Sequence, residues 1–200
     1  QQHCRSQYVL DMSRADVRDY LYNSIEAILS KNNIEYVKWD CNRNITNAAA
    51  SLLPADRQGE MFHRFVLGTY ELLDKLTKRF PDILWESCSG GGGRYDAGML
   101  AYSQQVWCSD NTDPIARLKI QFGTSLCYPA STMGAHVSAC TRTGYGVKGD
   151  VALWGTFGYE LDPLKLSADV KELIKSQTDE YRKYNRLIRN GDLYRIVYPA

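Results

Sequence analysis

The sequence predicts an α/β fold, a portion of a (β/α)8 barrel. Three observations predict it. Apolar runs of strand length alternate with longer segments whose apolar residues recur at helical spacing, the grammar of parallel βαβ units with right-handed crossovers. The runs end in polar, charged or small residues, as strands do when their carboxyl ends face a crevice. Five or six such units are too few to close eight strands, so the 200 residues are expected to form one partial barrel domain over positions 1–200. A doubly wound open sheet is the alternative reading of the same alternation.

Taken in order, the chain opens on an apolar run at 7–12. Ser13 followed by Asp16 has the pattern of a capping box and predicts a helix with Val17, Leu21, Ile25, Ile28 and Leu29 on one stripe, ending at Lys31-Asn32-Asn33. Residues 34–40 alternate and are rich in β-branched and aromatic side chains (Ile34, Tyr36, Val37, Trp39), which predicts a strand. A second long helix is expected over 59–80, with Phe62, Phe65, Val66, Tyr70, Leu73 and Leu76 at helical spacing and Pro81 as its stop. Strands are expected at 83–88, 105–109, 124–128 and 151–154, with helices at 114–121 and after Met133. The last helix is expected over 167–188, its polar positions alternating with Val170, Leu173, Ile174 and Tyr181 as on an outer helix packed against a sheet.

Composition narrows the partners. Lys and Arg total 24 against 23 Asp and Glu, a net charge of +1, so there is no electrostatic reason to expect nucleic acid or an anionic membrane. A polar partner is expected to be neutral. No apolar run is long enough to span a bilayer, and the first residues lack a signal-peptide pattern. Cys4, Cys41, Cys88, Cys108, Cys127 and Cys140 are scattered, without Cys-x-x-Cys or zinc-finger spacing, and are read as free thiols in a reducing, cytoplasmic setting. Their even number leaves a disulfide framework as the alternative.

The chemistry is expected at three strand ends. Lys38 and Asp40, two apart, share one face at the tip of the first strand; they either neutralise each other or present a reactive carboxylate whose charged form Lys38 favours. Ser89-Gly90-Gly91-Gly92-Gly93-Arg94 follows a strand but has neither the Gly-Lys-Ser/Thr of a P-loop nor the spaced glycines of a dinucleotide site. It remains a flexible turn or a loop whose backbone can approach a ligand closely. Asp110, after Trp107-Cys108-Ser109, repeats the arrangement of Asp40. Two such carboxylates are what glycoside hydrolysis requires, one ionised and one holding a proton for the leaving oxygen. Asp113 is a rival for the proton-donor role.

At these residues the chain resembles the melibiase-type α-galactosidases of glycoside hydrolase family thirty-six. The resemblance is carried by Lys38-Trp39-Asp40-Cys41-Asn42-Arg43, Ser87-Cys88-Ser89-Gly90-Gly91-Gly92, Trp107-Cys108-Ser109-Asp110-Asn111-Thr112-Asp113 and Met133-Gly134-Ala135-His136-Val137-Ser138, in that order, and it extends through Gly155-Thr156-Phe157-Gly158-Tyr159-Glu160-Leu161-Asp162. It implies a retaining hydrolase releasing terminal α-linked galactose from sugars such as melibiose or raffinose. Asp40 would be the nucleophile and Asp110 the general acid/base. Arg5, Lys38, Asn42, Cys88 and Gly90 match positions that line the galactose pocket; their groups can donate to, accept from or closely admit a sugar ring. His136 is read as a structural histidine with both nitrogens satisfied.

The resemblance implies no metal or organic cofactor and a homo-oligomer when full length. It also implies earlier barrel strands and flanking β domains that the 200 residues do not contain, and a Pro-Asn-His-Gln-Thr-Gly-Arg loop where this chain has Cys140-Thr141-Arg142-Thr143-Gly144-Tyr145-Gly146. Without those strands the segment could be a catalytically incomplete galactoside-binding module. The same covalent chemistry would also serve a galactosyl-transferring relative.

Overall fold

The computed structural model describes residues 6–46, 49–139 and 143–199. Strands and helices alternate along most of it: α1 (Ala15–Leu29), β1 (Tyr36–Asp40), α2 (Met61–Arg79), β2 (Leu84–Cys88), α3 (Ala97–Leu100), β3 (Gln105–Trp107), α4 (Pro114–Ser125), β4 (Met133–Ser138), α5 (Tyr145–Ala152), β5 (Thr156–Glu160) and α6 (Ala168–Asn190). The pairings β1·β2, β3·β4 and β4·β5 are all parallel, between strands consecutive in sequence. Parallel neighbours joined through helices are the repeating unit of a (β/α)8 barrel, and the chain forms a portion of one. Two compact units divide it, Gln1–Gly90 with Asp96–Gln104, and Gly91–Tyr95 with Gln105–Ala200.

In the first unit, Val37 and Trp39 turn inward to join Met12, Leu29, Phe65, Leu72, Leu76, Ile83 and Trp85. Phe65, Leu72 and Leu76 of α2 fall on one stripe of that helix, beside the buried Leu73. Tyr36, Lys38 and Asp40 occupy the opposite face of β1, as the two-residue period of a strand requires. In the second unit, Ala135 and Val137 of β4 pack with Ala152, Tyr145, Phe157 and Tyr159. Lys148 of α5 is buried there and donates to the Ser138 carbonyl at 2.8 Å. Ser167 caps α6 by accepting from the Val170 N–H.

Several expectations need correction. Residues 7–12 form no strand beyond a single bridge at Gln7. Ser13 does not cap α1: its N–H and hydroxyl both donate to Asp11, and Asp16 is engaged by Arg14, so the capping residues have nearer partners. Ile28, Phe62 and Val66, expected on buried stripes, are exposed. The α2 segment begins as a 3-10 turn at Ala55–Glu60, which sets its buried face on Met61, Phe65 and Gly68.

Thr124 belongs to α4, and no strand forms at 124–128; Asp113 and Pro114 start a helix that runs on through Ser125. After Met133 comes a strand, not a helix. Gly134 in β4 leaves room for the Trp107 ring, which a Cβ would meet at 2.9 Å. Residues 151–154 are the end of α5 and the turn after it, and the next strand is β5. Short apolar runs buried between other elements lack a period, so length and flanking residues mislead there.

Candidate active site

The site residues of the first unit gather where β1 and β2 end. The two strands pair with Lys38 opposite Glu86 and Asp40 opposite Cys88, so these four side chains stand on one face in two rows. Beyond the last row the ladder continues by one bond, Cys41 N–H to the Cys88 carbonyl at 3.0 Å, and the Ser89 hydroxyl donates to the Cys41 carbonyl at 2.6 Å. The two strand ends are thereby tied as they open into loops.

Asn42 connects the carboxylate to the glycine loop. Its Nδ2 donates to Asp40 Oδ2 at 2.6 Å, and its Oδ1 accepts from the Gly90 N–H at 2.5 Å. A primary amide is suited to this, since it donates at one end and accepts at the other. Asp40 itself is exposed at the strand tip, where a substrate could reach it. Gly90 has φ +57 and open space where a Cβ would stand. That is a conformation glycine adopts without steric cost.

Lys38 has an ion-pair partner on the neighbouring strand. Its ammonium lies 3.2 Å from Glu86 Oε1, and Glu86 is almost wholly buried, with 1% of its surface exposed. The Tyr36 hydroxyl donates to the other Glu86 oxygen. A buried carboxylate between a phenol and an ammonium fixes the direction in which Lys38 points. Among the described residues Cys41, Cys88, Cys108 and Cys127 are free cysteines; Cys88 is buried, Cys41 and Cys108 are half-buried and Cys127 is exposed. Arg5 and Cys4 lie outside the described residues, as do Cys140, Thr141 and Arg142 of the divergent loop.

Asp110 is in the second unit, exposed on the loop that follows β3. The two aspartates of that loop have different surroundings. Asp113 is the N-cap of α4: its Oδ1 accepts from the Ala116 N–H at 2.9 Å, and its own N–H donates to Asn111 Oδ1 at 3.0 Å. The rival for the proton-donor role thus has a structural task of its own. Gly91, at φ +83, lies against the same loop, for a Cβ there would stand 2.6 Å from Ser109 Cα and 2.9 Å from the Asp110 nitrogen.

Behind the Asp110 loop stands Trp107, with the Arg117 guanidinium 4.1 Å from its ring centroid and the His136 ring at 4.7 Å. His136 Nδ1 is 3.0 Å from Glu160 Oε1. Burial lowers the pKa of Arg117, an effect that Cys108, Glu160 and Asp110 oppose. Burial likewise raises that of the Cys108 thiol. Arg117 and Glu160 received no role from the sequence. The available signal was the buried face of α4, Pro114, Arg117, Gln121 and Ser125, a polar stripe at helical spacing in a helix whose Ile115 is exposed.

The family model for melibiase matches residues 1–191. The chain belongs to the melibiase family. Among melibiase relatives it is 51% identical over 201 residues to α-galactosidase AgaA of Geobacillus stearothermophilus and 49% identical over 202 residues to α-galactosidase Mel36A of Lactobacillus acidophilus, in each case over 98% of this chain and 28% of the relative. The crystal structure of AgaA superposes with a TM-score of 0.96 at 50% identity, covering 99% of this chain and 28% of that one. The galactosidase domain of the α-galactosidase–sucrose kinase AgaSK gives 0.92 at 46% identity, covering 99% and 27%. The chain therefore spans less than a third of the length of these melibiases. Variants of AgaA have been crystallised with raffinose and with stachyose; each replaces a different aspartate, and the two aspartates stand as far apart in that sequence as Asp40 and Asp110 do in this one.

Proposed function

We propose that this chain carries the reacting carboxylates of an α-galactosidase that releases terminal α-linked galactose from melibiose- or raffinose-type sugars with retention of configuration. The observation that carries the reading is the Asp40, Asn42 and Gly90 chain of hydrogen bonds at the end of β1. An exposed carboxylate with one oxygen held by an amide is oriented for attack on an anomeric carbon. Asp40 forms the glycosyl ester as the glycosidic C–O bond breaks, and Asp110 donates its proton to the departing oxygen. Asp110 then takes a proton from water, which attacks the ester and frees Asp40. Lys38, held by Glu86, donates to sugar hydroxyls, as do Arg5 and Asn42 by family resemblance, with Cys88 and Gly90 completing the pocket floor. The AgaA complexes with raffinose and stachyose support this substrate class.

The test is to follow hydrolysis of melibiose by proton NMR and to repeat it with Asp40→Asn. Retention predicts that α-galactose appears first and mutarotates afterwards; β-galactose first would overturn the double displacement. Asp40→Asn should lower turnover by roughly three orders of magnitude or more with an unchanged melting temperature, since it removes the attacking charge at nearly constant volume. A variant keeping more than about a tenth of the rate would remove Asp40 from the nucleophile role.

A further inference from the structure

Arg117 is nearly the most enclosed cation of the chain's described part, with 4% of its surface exposed, and all three of its guanidinium nitrogens donate to main-chain carbonyls. Nε donates to Asn111 at 2.8 Å, Nη2 to Ser109 at 2.7 Å and Nη1 to Gly134 on β4 at 3.1 Å. The first two carbonyls belong to the residues immediately before and after Asp110. The face of the guanidinium stacks on Trp107 of β3. One side chain thus clamps the residues on both sides of Asp110 and refers them to two strands, while Gly91 abuts Ser109 Cα and the Asp110 nitrogen.

We infer that Arg117 is a positioning residue for Asp110, setting the place from which its carboxyl group delivers a proton; this rests on the reading of Asp110 as general acid. A planar fork with five N–H donors can hold three divergent carbonyls while stacking on an indole, which an ammonium cannot. The loop's internal bonds, Asn111 N–H to Ser109 Oγ at 3.1 Å and Asp113 N–H to Asn111 Oδ1 at 3.0 Å, shape it locally. Arg117 supplies the connection between that shape and the sheet. A proton donor misplaced by about an ångström loses on the order of a hundredfold in its step.

The test compares kcat/KM, which reports the first bond-breaking step, for melibiose and for 4-nitrophenyl α-galactoside in wild type, Arg117→Lys, Arg117→Met, Asp110→Ala and the Asp110→Ala/Arg117→Lys double variant. The nitrophenolate leaving group needs little protonation, so a displaced acid is felt mainly with melibiose. Arg117→Lys should lower the melibiose value about 10- to 100-fold and the aryl value by less than about threefold, and it should add nothing further on melibiose once Asp110 is gone. An equal fall on both substrates, or a loss that multiplies that of Asp110→Ala, would reduce Arg117 to a stability role and overturn the inference. Absence of a leaving-group split in Asp110→Ala itself would overturn the general-acid reading and the inference with it. If Arg117→Met fails to fold, the lysine variant, which keeps the charge but not the planar fork, decides the matter.

Discussion

Lys38 and Glu86 face each other across two parallel strands, with the ammonium 3.2 Å from a carboxylate that is almost completely buried. A charge on β2 would be costly to bury alone; the Tyr36 hydroxyl and the Lys38 ammonium compensate it, and it orients both in return. Glu86→Ala should therefore lower folding stability by roughly 3 kcal/mol, the lower end of the range for breaking a buried pair, because Lys38 is itself partly exposed and can turn to water. Glu86→Gln keeps an acceptor for Tyr36 and should cost less stability, yet still raise KM for galactosides by releasing Lys38. Urea unfolding and steady-state kinetics on the two variants check this; an unchanged KM in Glu86→Gln would separate the ion pair from substrate binding.

The fold class was legible because the clearest elements obey their periods. Val37 and Trp39 face the core while Tyr36, Lys38 and Asp40 do not, the long helix α2 carries a buried stripe, and Val170, Leu173, Ile174 and Tyr181 of α6 are half-buried. The second half was harder to read. Met133-Gly134-Ala135-His136 has little β propensity, and becomes a strand because Gly134 and Ala135 fit beneath Trp107 and beside Gly155. Val151 and Ala152 read as strand residues but close a helix packed on β4. In both places tertiary packing overrides local preference.

The glycine loop offers a contrast between two adjacent positions. Gly90 and Gly91 both have positive φ, so alanine at either costs about 1–2 kcal/mol in backbone strain. At Gly90 a Cβ meets nothing within 4 Å, whereas at Gly91 it would stand 2.6 Å from Ser109 Cα and 2.9 Å from the Asp110 nitrogen, main-chain atoms that cannot swing aside. Gly91→Ala should consequently depress the melting temperature well beyond Gly90→Ala and shift the Asp110 loop. Equal melting temperatures would mean that the close approach at Gly91 is relieved at no cost.

Three buried or hydrogen-bonded acids make stability fall on the alkaline side. Burial, reinforced by the hydrogen bond to Asp96 and the charge of Asp96, pushes the Tyr70 phenol from 10.0 up to about 12. Burial also raises Tyr95 and Cys108 above their ordinary values. With folded pKa values above the unfolded ones, the contribution is fully present below the unfolded values. It declines as pH rises, since the unfolded chain gives up these protons first. The urea midpoint should hold to about pH 8 and fall from about pH 9 toward pH 12. Tyr70→Phe, which has no phenol to ionise, should show a shallower decline; an identical decline would assign the loss to other groups.

At the site, the sequence named the strand-end carboxylates because a charged tip on an apolar strand is conspicuous. It did not indicate what holds them. Asn42 reads as a sugar contact, and the fold adds a second task, since its amide also joins Asp40 to Gly90. Glu86 lies within Leu-Trp-Glu-Ser-Cys, and Arg117 four residues beyond the Asp113 cap; both act through partners that only the folded register supplies. Spacing in sequence carries no information about such cross-strand and loop-to-helix pairings.

Asp110 and Asp113 are separated by one structural fact, that Asp113 Oδ1 accepts the Ala116 N–H at 2.9 Å and caps α4, with Pro114 at the first helical position. Asp113→Ala should cost about 1 kcal/mol of stability, typical of losing an N-cap, while Asp113→Asn or Asp113→Ser, which retain an acceptor oxygen, should recover most of it. None of the three should alter the ratio of rates on galactosides with good and poor leaving groups. Asp110→Ala should do the opposite. It changes an exposed position and should alter stability little, yet it should slow galactosides with poor leaving groups by roughly two to four orders of magnitude and aryl galactosides far less. It should also flatten the basic limb of the pH profile, where loss of the acid's proton otherwise limits the rate. A leaving-group effect at Asp113 that Asn fails to restore, with none at Asp110, would exchange the two roles and leave Asp40 as the nucleophile.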